Sequence, residues 1–464
     1  MDPLNIDQIA KFAGAVRESG SDRMVISSVC TDSRTTRAGD LFVALRGDNF
    51  DGHQFVEQAL GRGAVGAMVE TKWSLKVAPG SCLLRVDDTL VAYQQLAANY
   101  RTSLGLKVVA ITGSNGKTST KDFTASILGR HFRVTKTEGN FNNHVGLPRT
   151  ILEASARDEV AVWEIGMNHP GEIAPLAQLA RPEVAIITNI GIAHIEFMGS
   201  REAIAQEKGD LAASLGPNGT LILNSGDEFA GRIAQRTTGR VLFAGIDRGE
   251  MQARDIAQNP SGAEFEILEG AHRCHAVLPV PGLHMVQNAL LAVAAGRVFG
   301  LSLEDCAAGL AAAPLTKARL QMKTIHGVQF IDDSYNANPD STKAALRTLA
   351  QLETDGRRIA VLGQMLELGS ESQRGHQEVG EVAASLGINR LIALGDGSAE
   401  IALGAEAAGL ANSQVVATAE EAAELLCEGA RPGDLVLVKG SRSAKTERVL
   451  EEFAKRQMET GCAS

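Results

Sequence analysis

A chain of 464 residues is too long for one ordinary core; at ~150 residues per unit it suggests about three. Apolar content of 44% with only 4% aromatics fits α/β layers better than a β-sandwich. A net charge of −10 argues against a broad nucleic-acid footprint and leaves room for a locally basic site that takes small anions.

The start, MDPLNIDQIAKF, has no basic-then-apolar targeting pattern, and no run approaches ~18 apolar residues, so no membrane span is expected. The six cysteines (Cys30, Cys82, Cys274, Cys306, Cys427, Cys462) form no C-x-x-C pair, which excludes zinc-ribbon and thioredoxin-like sites. A reducing cytoplasm is the expected compartment. There is no internal repeat and no low-complexity tract.

Residues 1–104 read as a first block of short strands and turns. GDLFVAL (39–45), AVGAMVE (64–70) and CLLRV (82–86) predict strands, and TLVAYQQLAANYR (89–101) predicts a helix with Leu90, Tyr93, Leu96 and Ala97 at helical spacing. Residues 105–312 form a middle block. It opens with a strand over 108–112 and a helix over 117–128. Further buried strands are predicted at VAVWEIG (160–166) and EVAIITNIG (183–191), a rhythm that suggests a parallel sheet covered on both faces. A hairpin is expected around Glu269-Gly270, then a helix over 284–300 stopped by Gly300. Residues 313–464 form a third block, in which VQFIDDS, RIAVLGQM, RLIALGDG and DLVLVKGS each end a strand in a turn. Ligands of open α/β sheets bind at such strand ends.

The stretch VVAITGSNGKTST (108–120) carries the clearest chemistry. A glycine-rich turn from a strand into a helix aims backbone N–H groups at a phosphate, and the helix start adds about half a positive charge. Gly113, Ser114, Asn115, Gly116, Lys117, Thr118 and Ser119 are therefore the candidate ATP-binding residues. Lys117 supplies charge for the terminal phosphates, and the Thr118 hydroxyl is placed to bind Mg²⁺. Ile111 stands where a full Walker loop has its first glycine, and a surface turn with a chance G-K-T would look similar in isolation.

Magnesium needs further oxygen donors. Glu164 ends an otherwise apolar strand, where a carboxylate is unfavourable unless paired or metal-bound. A partly exposed strand-end Glu is the bland alternative. His194 follows another buried strand and reads equally as a structural histidine, and Lys208 reads by default as a solvated helix lysine.

Taken together, TGSNGKTST, WEIGMNHPGEI, TNIGIAHIEFMGS and EKGDL resemble the Mur ligases, ATP-dependent amino-acid ligases of peptidoglycan synthesis. The family's short loop, T-G-[ST]-x-G-K-[ST], lacks the first Walker glycine, as here. The stretches TDSRTTRAGDLFVALRGDNFDGHQF, IDDSYNANPDST (331–342) and VLVKGSRSAKTERV (436–449) narrow the likeness to the member that adds a dipeptide. The resemblance spans about 31–449.

It implies an α/β fold of three domains: a UDP-sugar-binding α/β domain (1–104), a central P-loop ATPase domain with a mostly parallel sheet (105–312) and a C-terminal Rossmann-like α/β domain (313–464). It implies ATP and two Mg²⁺ sites, with UDP-N-acetylmuramoyl-tripeptide and D-alanyl-D-alanine as substrates, handled by a monomer. Lys117, Glu164, His194 and Lys208 become the catalytic candidates. Thr118 and Glu164 would hold one Mg²⁺, and His194 and Lys208 the second, with Lys208 carbamylated. The family's K-G-E reads Lys208-Gly209-Asp210 here. Asn288, with His284 one turn before it, matches the adenine contact. Arg319 matches an arginine facing the nucleotide, although Ala318 stands where a glycine is usual. Asp333, or its neighbour Asp332, matches a carboxylate reaching the ribose. Ser33, Arg34, Arg46 and His53, the last in the Asp51–His53 turn, are uridine and diphosphate candidates. Asn140, Asn142 and Asn143 are candidates for holding the muramoyl-peptide, and Asn336 and Asn338 for placing the dipeptide. Gln364 replaces a frequent aspartate. Sister ligases that add a single amino acid, and folylpolyglutamate synthases, share the loop and the amide chemistry. A GTPase switch would need N-K-x-D, which is absent, and an inactive scaffold would not need Lys117, Thr118 and Glu164 together.

Overall fold

The computed structural model describes residues 1–47, 49–74, 80–314 and 316–461; Cys462 lies outside them. Three α/β units follow one another along the chain, each built on its own sheet. The first sheet has five strands in the order Val16–Ser19, Cys82–Val86, Gly66–Glu70, Asp40–Val43, Ser28–Cys30, parallel apart from the first pair. A two-stranded pair, Leu4–Asn5 with Val25–Ile26, lies beside it. The third sheet has six strands, with Leu435–Lys439 between Val328–Asp333 and Arg358–Gly363. Only its edge strand Gln321–Ile325 is antiparallel.

The central sheet positions the site. Its nine strands run His272–Leu278, Gly262–Glu269, Met251–Asn259, Arg240–Ile246, Thr220–Asn224, Val184–Ile187, Lys107–Thr112, Val160–Glu164, Val134–Lys136. The last seven are parallel, and the expected hairpin turns at Gly270 to add two antiparallel strands. Lys107–Thr112 pairs with Val160–Glu164 on one side (Ile111 opposite Glu164) and Val184–Ile187 on the other (Thr112 opposite Ile187). The loop after residue 112, the Glu164 carboxylate and the loop after residue 187 therefore emerge together at the carboxyl edge.

Strand alternation explains why these runs are apolar throughout. Val109 and Ile111 face one core with Phe123, Ile127, Val286 and Leu290, whereas Val108 and Ala110 face another with Tyr93, Leu96 and Tyr100. Helix Leu283–Val298 is buried nearly all round, and Gly296 lets it approach Ile127, where a Cβ would come within 2.7 Å of Ile127 Cγ2. Its stop is the left-handed Gly300 (φ 84°). Helix Thr89–Leu104, capped by Asp88, ties the first unit to the second: Tyr100 Oη donates to the Ala154 carbonyl at 2.8 Å, and Arg101 Nε to that of Ala180 at 3.1 Å.

Candidate active site

The short loop is a built cradle. Gly113 has φ 147° and Gly116 φ 81°, and a Cβ on Gly113 would fall on the Thr188 hydroxyl. A Cβ on Gly116 would lie 2.5 Å from Asn288 Oδ1, so Asn288 packs directly against the loop. Thr188 and Asn189, just past the neighbouring strand, brace the other side. Thr188 Oγ1 donates to the Asn115 carbonyl at 2.5 Å, and Asn189 Oδ1 accepts from Asn115 N at 3.0 Å. Ser114 Oγ accepts from Gly191 N at 2.9 Å. Helix Lys117–Leu128 then begins with no side-chain cap, leaving its first-turn N–H groups facing the cradle. Lys117 Nζ folds over the loop to the Gly113 carbonyl at 2.8 Å; burial lowers its proton affinity while Glu164 raises it.

Glu164 is buried at this edge and gathers oxygen donors. Its Oε2 lies 3.0 Å from Thr118 Oγ1, its Oε1 accepts from Asn142 Nδ2 at 2.8 Å, and its backbone N–H donates to Thr137 Oγ1 at 2.9 Å. The 3.0 Å between the Thr118 and Glu164 oxygens matches the edge of an octahedron with metal–oxygen bonds of ~2.1 Å. These two residues fit a Mg²⁺ ion.

Lys208 is a core residue, 1% exposed, rather than a solvated helix lysine. It makes no hydrogen bond or ion pair among the described residues. Burial drives its pKa well down, the Lys117 cation adds to this, and Glu207 opposes it. Neighbouring Glu207 accepts from Gly171 N and Ile173 N, both at 2.8 Å, and so pins the turn after Glu164's strand. His194 sits in a left-handed turn (φ 63°) with Nδ1 2.5 Å from Glu367 Oε2, off the line of a good hydrogen bond. No cluster of three His, Cys, Asp or Glu ligands forms among the described residues.

The third unit completes the edge. Arg319 donates to Thr118 Oγ1 at 3.3 Å, stacks 4.4 Å from the Tyr335 ring centre, and keeps a buried Nε with no hydrogen-bond partner. Ala318 is indeed left-handed (φ 57°), as is Leu320 (φ 49°), so two non-glycine residues flank Arg319 in strained turns. Asp333 lies 2.6 Å from Lys439 Nζ, and its charge also acts on His284 of the central unit. Asp332 turns the other way, to Lys323 at 2.6 Å and to Ser334. Asn338 caps helix Pro339–Gln351, and its Nδ2 donates to Asn115 Oδ1 at 2.7 Å. Asp340, two residues along, accepts from Ile192 N at 3.0 Å. Asn336 is exposed, and Gln364 packs against Gly397.

The remaining candidates are spread more widely. Asn143 Oδ1 accepts from Gly146 N at 2.8 Å, at the start of helix Gly146–Glu153, and Asn140 is exposed. In the first unit, Ser33 Oγ donates to Gln58 Oε1 at 2.7 Å, and Arg34 is exposed beside Asp32. Arg46 spans Asp51 and Glu70, each at 3.2 Å. His53 is buried with both ring nitrogens engaged, Nδ1 by Asp51 at 2.6 Å and Nε2 by Glu70 N at 3.0 Å. Thr188, Asn189, Glu207, Tyr335, Asp340 and Lys439 were not singled out by the sequence. Thr188-Asn189 had a signal, being polar residues directly after a buried strand. The others depend on contacts between distant segments.

Similarity to known proteins agrees with this geometry. Three family descriptions match in order: "Mur ligase family, catalytic domain" over residues 25–101, "Mur ligase middle domain" over 111–296, and "Mur ligase, glutamate ligase domain" over 318–442. The UDP-N-acetylmuramoyl-tripeptide–D-alanyl-D-alanine ligase of Bacillus subtilis is 40% identical over 458 residues, covering 97% of each chain. That of Escherichia coli is 36% identical, covering 93% of this chain and 94% of its own. Among solved structures, MurF from Acinetobacter baumannii superposes with a TM-score of 0.90 at 32% identity, covering 98% of this chain and 99% of its own. MurF ligase from Thermotoga maritima, in complex with ADP, gives 0.84 at 27%, covering 93% and 98%.

Proposed function

The chain belongs to the Mur ligase family, and on that premise we propose that it uses ATP to join D-alanyl-D-alanine to UDP-N-acetylmuramoyl-tripeptide. The product is the UDP-muramoyl-pentapeptide precursor of peptidoglycan. The observation that carries the reading is the joint presence of an uncapped phosphate loop and the Thr118–Glu164 oxygen pair at one sheet edge.

The tripeptide's terminal carboxylate attacks the γ-phosphorus of ATP. A carboxyl–phosphate bond forms, and ADP leaves with the electrons of the broken P–O bond. The dipeptide amine then attacks the acyl carbon, phosphate leaves with the C–O electrons, and the amine proton is lost. Two anions must meet in the first step, so Lys117 and the helix start offset charge where it gathers. Mg²⁺, when bound, would supply further charge neutralisation; Thr118 and Glu164 would hold it, and His194 and Lys208 would serve a second ion. Asn142 and the Thr137 hydroxyl fix Glu164 in place. Asn288 reads adenine, Asp333 the ribose, and Arg319 the phosphates.

Lys208 carries a carbamate in this reading. An amine buried beside the Lys117 cation, with burial favouring its neutral form, suits attack on CO₂, and the resulting anion suits a cation site. A ¹³CO₂ label retained on Lys208 tests this.

Residues 1–104 hold the UDP end through Ser33, Arg34, Arg46 and His53. Residues 105–312 hold ATP and, through Asn140, Asn142 and Asn143, the peptide. Residues 313–464 bring Arg319 and Asn338 against the phosphate loop, excluding water from a hydrolysable acyl phosphate, and the exposed Asn336 helps place the dipeptide. Cys30, Cys82, Cys274 and Cys306 are free thiols, as a reducing cytoplasm favours. No helix among the described residues is long and apolar enough to cross a membrane.

The deciding assay supplies ATP, the UDP-muramoyl tripeptide and a choice of amines. Phosphate release with D-alanyl-D-alanine supports the reading. Release with a free amino acid and none with the dipeptide overturns it in favour of a sister ligase.

A further inference from the structure

Asp122 is a buried carboxylate, 6% exposed, to which the ligation chemistry assigns no part. It lies on the phosphate-loop helix Lys117–Leu128, four residues after Thr118 and therefore on the same face. Its Oδ1 is held by Lys136 at 2.7 Å and lies 3.3 Å from Lys121 Nζ. Its Oδ2 accepts a hydrogen bond from Thr316 Oγ1 at 2.7 Å, across 194 residues of sequence. Thr316 belongs to the connection between the central and third units, three residues before Arg319.

The connection is thus pinned along one face of the helix at two points one turn apart. Thr316 meets Asp122 farther from the loop, and Arg319 meets Thr118 next to it, at 3.3 Å. Between and beyond these points the backbone turns through the left-handed Ala318 and Leu320. Such turns are strained for non-glycine residues and persist only where neighbouring contacts enforce them. On the far side the enforcing contacts are Leu320 N to Asp333 Oδ1 at 3.3 Å and Tyr335 N to the Ala318 carbonyl at 3.2 Å. On the near side the contact is Thr316 with Asp122. The two lysines around Asp122 keep it charged, and its pKa is lowered by them against the opposing effect of burial.

We propose that Asp122 is a positioning residue: through its hydrogen bond to Thr316 it anchors the inter-unit connection on the phosphate-loop helix and so sets Arg319 over Thr118. This deepens the proposed function and rests on Arg319 facing the nucleotide. Loss of the anchor lets the strained turn relax and Arg319 withdraw, which impairs ATP chemistry and leaves substrate binding elsewhere intact.

The test is a double-mutant cycle on the full-length enzyme, using Thr316→Val, Arg319→Ala and the pair, with Thr316→Ser as the conservative variant. Valine keeps the shape and removes only the hydroxyl. Thr316→Val is expected to lower kcat about tenfold, the scale of a hydrogen bond to a charged acceptor. KM for UDP-tripeptide and for dipeptide should stay within about twofold, the melting temperature should be preserved, and Thr316→Ser should restore the rate. In the Arg319→Ala background the valine substitution should cost nothing further. An unchanged kcat in Thr316→Val, with Arg319→Ala impaired, overturns the anchoring and leaves the reading of Arg319 standing. Losses that multiply in the double variant also overturn it, because the bond would then act elsewhere. If Arg319→Ala itself keeps normal kcat and KM for ATP, both the anchoring and the role of Arg319 fall.

Discussion

Replacing Gly116 by alanine probes the cradle at the point where its backbone meets Asn288, the proposed adenine contact. The residue has φ 81°, a region that costs alanine ~1–2 kcal/mol, or about 5- to 30-fold in an equilibrium constant. The added Cβ would also lie 2.5 Å from Asn288 Oδ1, 2.7 Å from Nδ2 and 2.9 Å from Cγ, where carbon contacts ordinarily begin at ~3.5 Å. Asn288 is buried, with its Nδ2 3.8 Å from Met285 Sδ, so its amide must withdraw by ~1 Å and, in the proposed role, away from adenine. The two effects together predict an affinity for a non-hydrolysable ATP analogue lowered about 30- to 100-fold, measured by titration calorimetry. In an Asn288→Ala background the clash is gone, and the Gly116→Ala cost should shrink to the backbone part of about 5- to 30-fold. Affinity within twofold of the parent refutes the cradle. An equal penalty in both backgrounds refutes the contact with Asn288.

Other substitutions separate the remaining roles. Lys117→Ala should reduce turnover by about a thousandfold or more in a phosphate-release assay, since Lys117 Nζ is folded onto the loop at the Gly113 carbonyl. Glu164→Gln keeps the shape and one acceptor but loses the charge, so the Mg²⁺ concentration for half-maximal rate should rise at least about tenfold. His284 is held neutral in the fold, its pKa lowered to about 4 by burial, with Lys439 adding to the shift and Asp333 opposing it. The unfolded chain therefore binds the extra proton between pH about 4 and 6.5, and stability should fall as pH drops through that window, by up to ~3 kcal/mol from this group. Urea melts at pH 7 and pH 5 should show the loss, and His284→Gln should flatten it, leaving the smaller slope from His376, whose pKa burial also lowers.

What the sequence could carry was whatever local chemistry dictates. Gly113 and Gly116 are legible because only a backbone turn from strand to helix needs glycine at those spacings, and Ile111 is legible as the continuation of a buried strand. Glu164 is legible because a carboxylate ending an apolar strand demands a partner, and the structure supplies Thr118 and Asn142. Lys208 was not legible from composition: in a helix of mixed polarity, nothing local distinguishes a solvated lysine from one that is 1% exposed. His53 illustrates the opposite case, a histidine in a polar turn whose two nitrogens are taken up internally by Asp51 and Glu70 N. The contacts that bring the third unit to the central one span long separations in sequence. Asn338 reaches Asn115 across 223 residues, and Asp340 reaches Ile192 across 148. Asn338, expected from the sequence to help place the dipeptide, caps the helix ahead of Pro339, and the cap uses only its Oδ1. Its free amide is what meets the phosphate loop. One side chain thus fixes the start of a third-unit helix and the position of that helix on Asn115, so a change at the loop and a change in docking must move together.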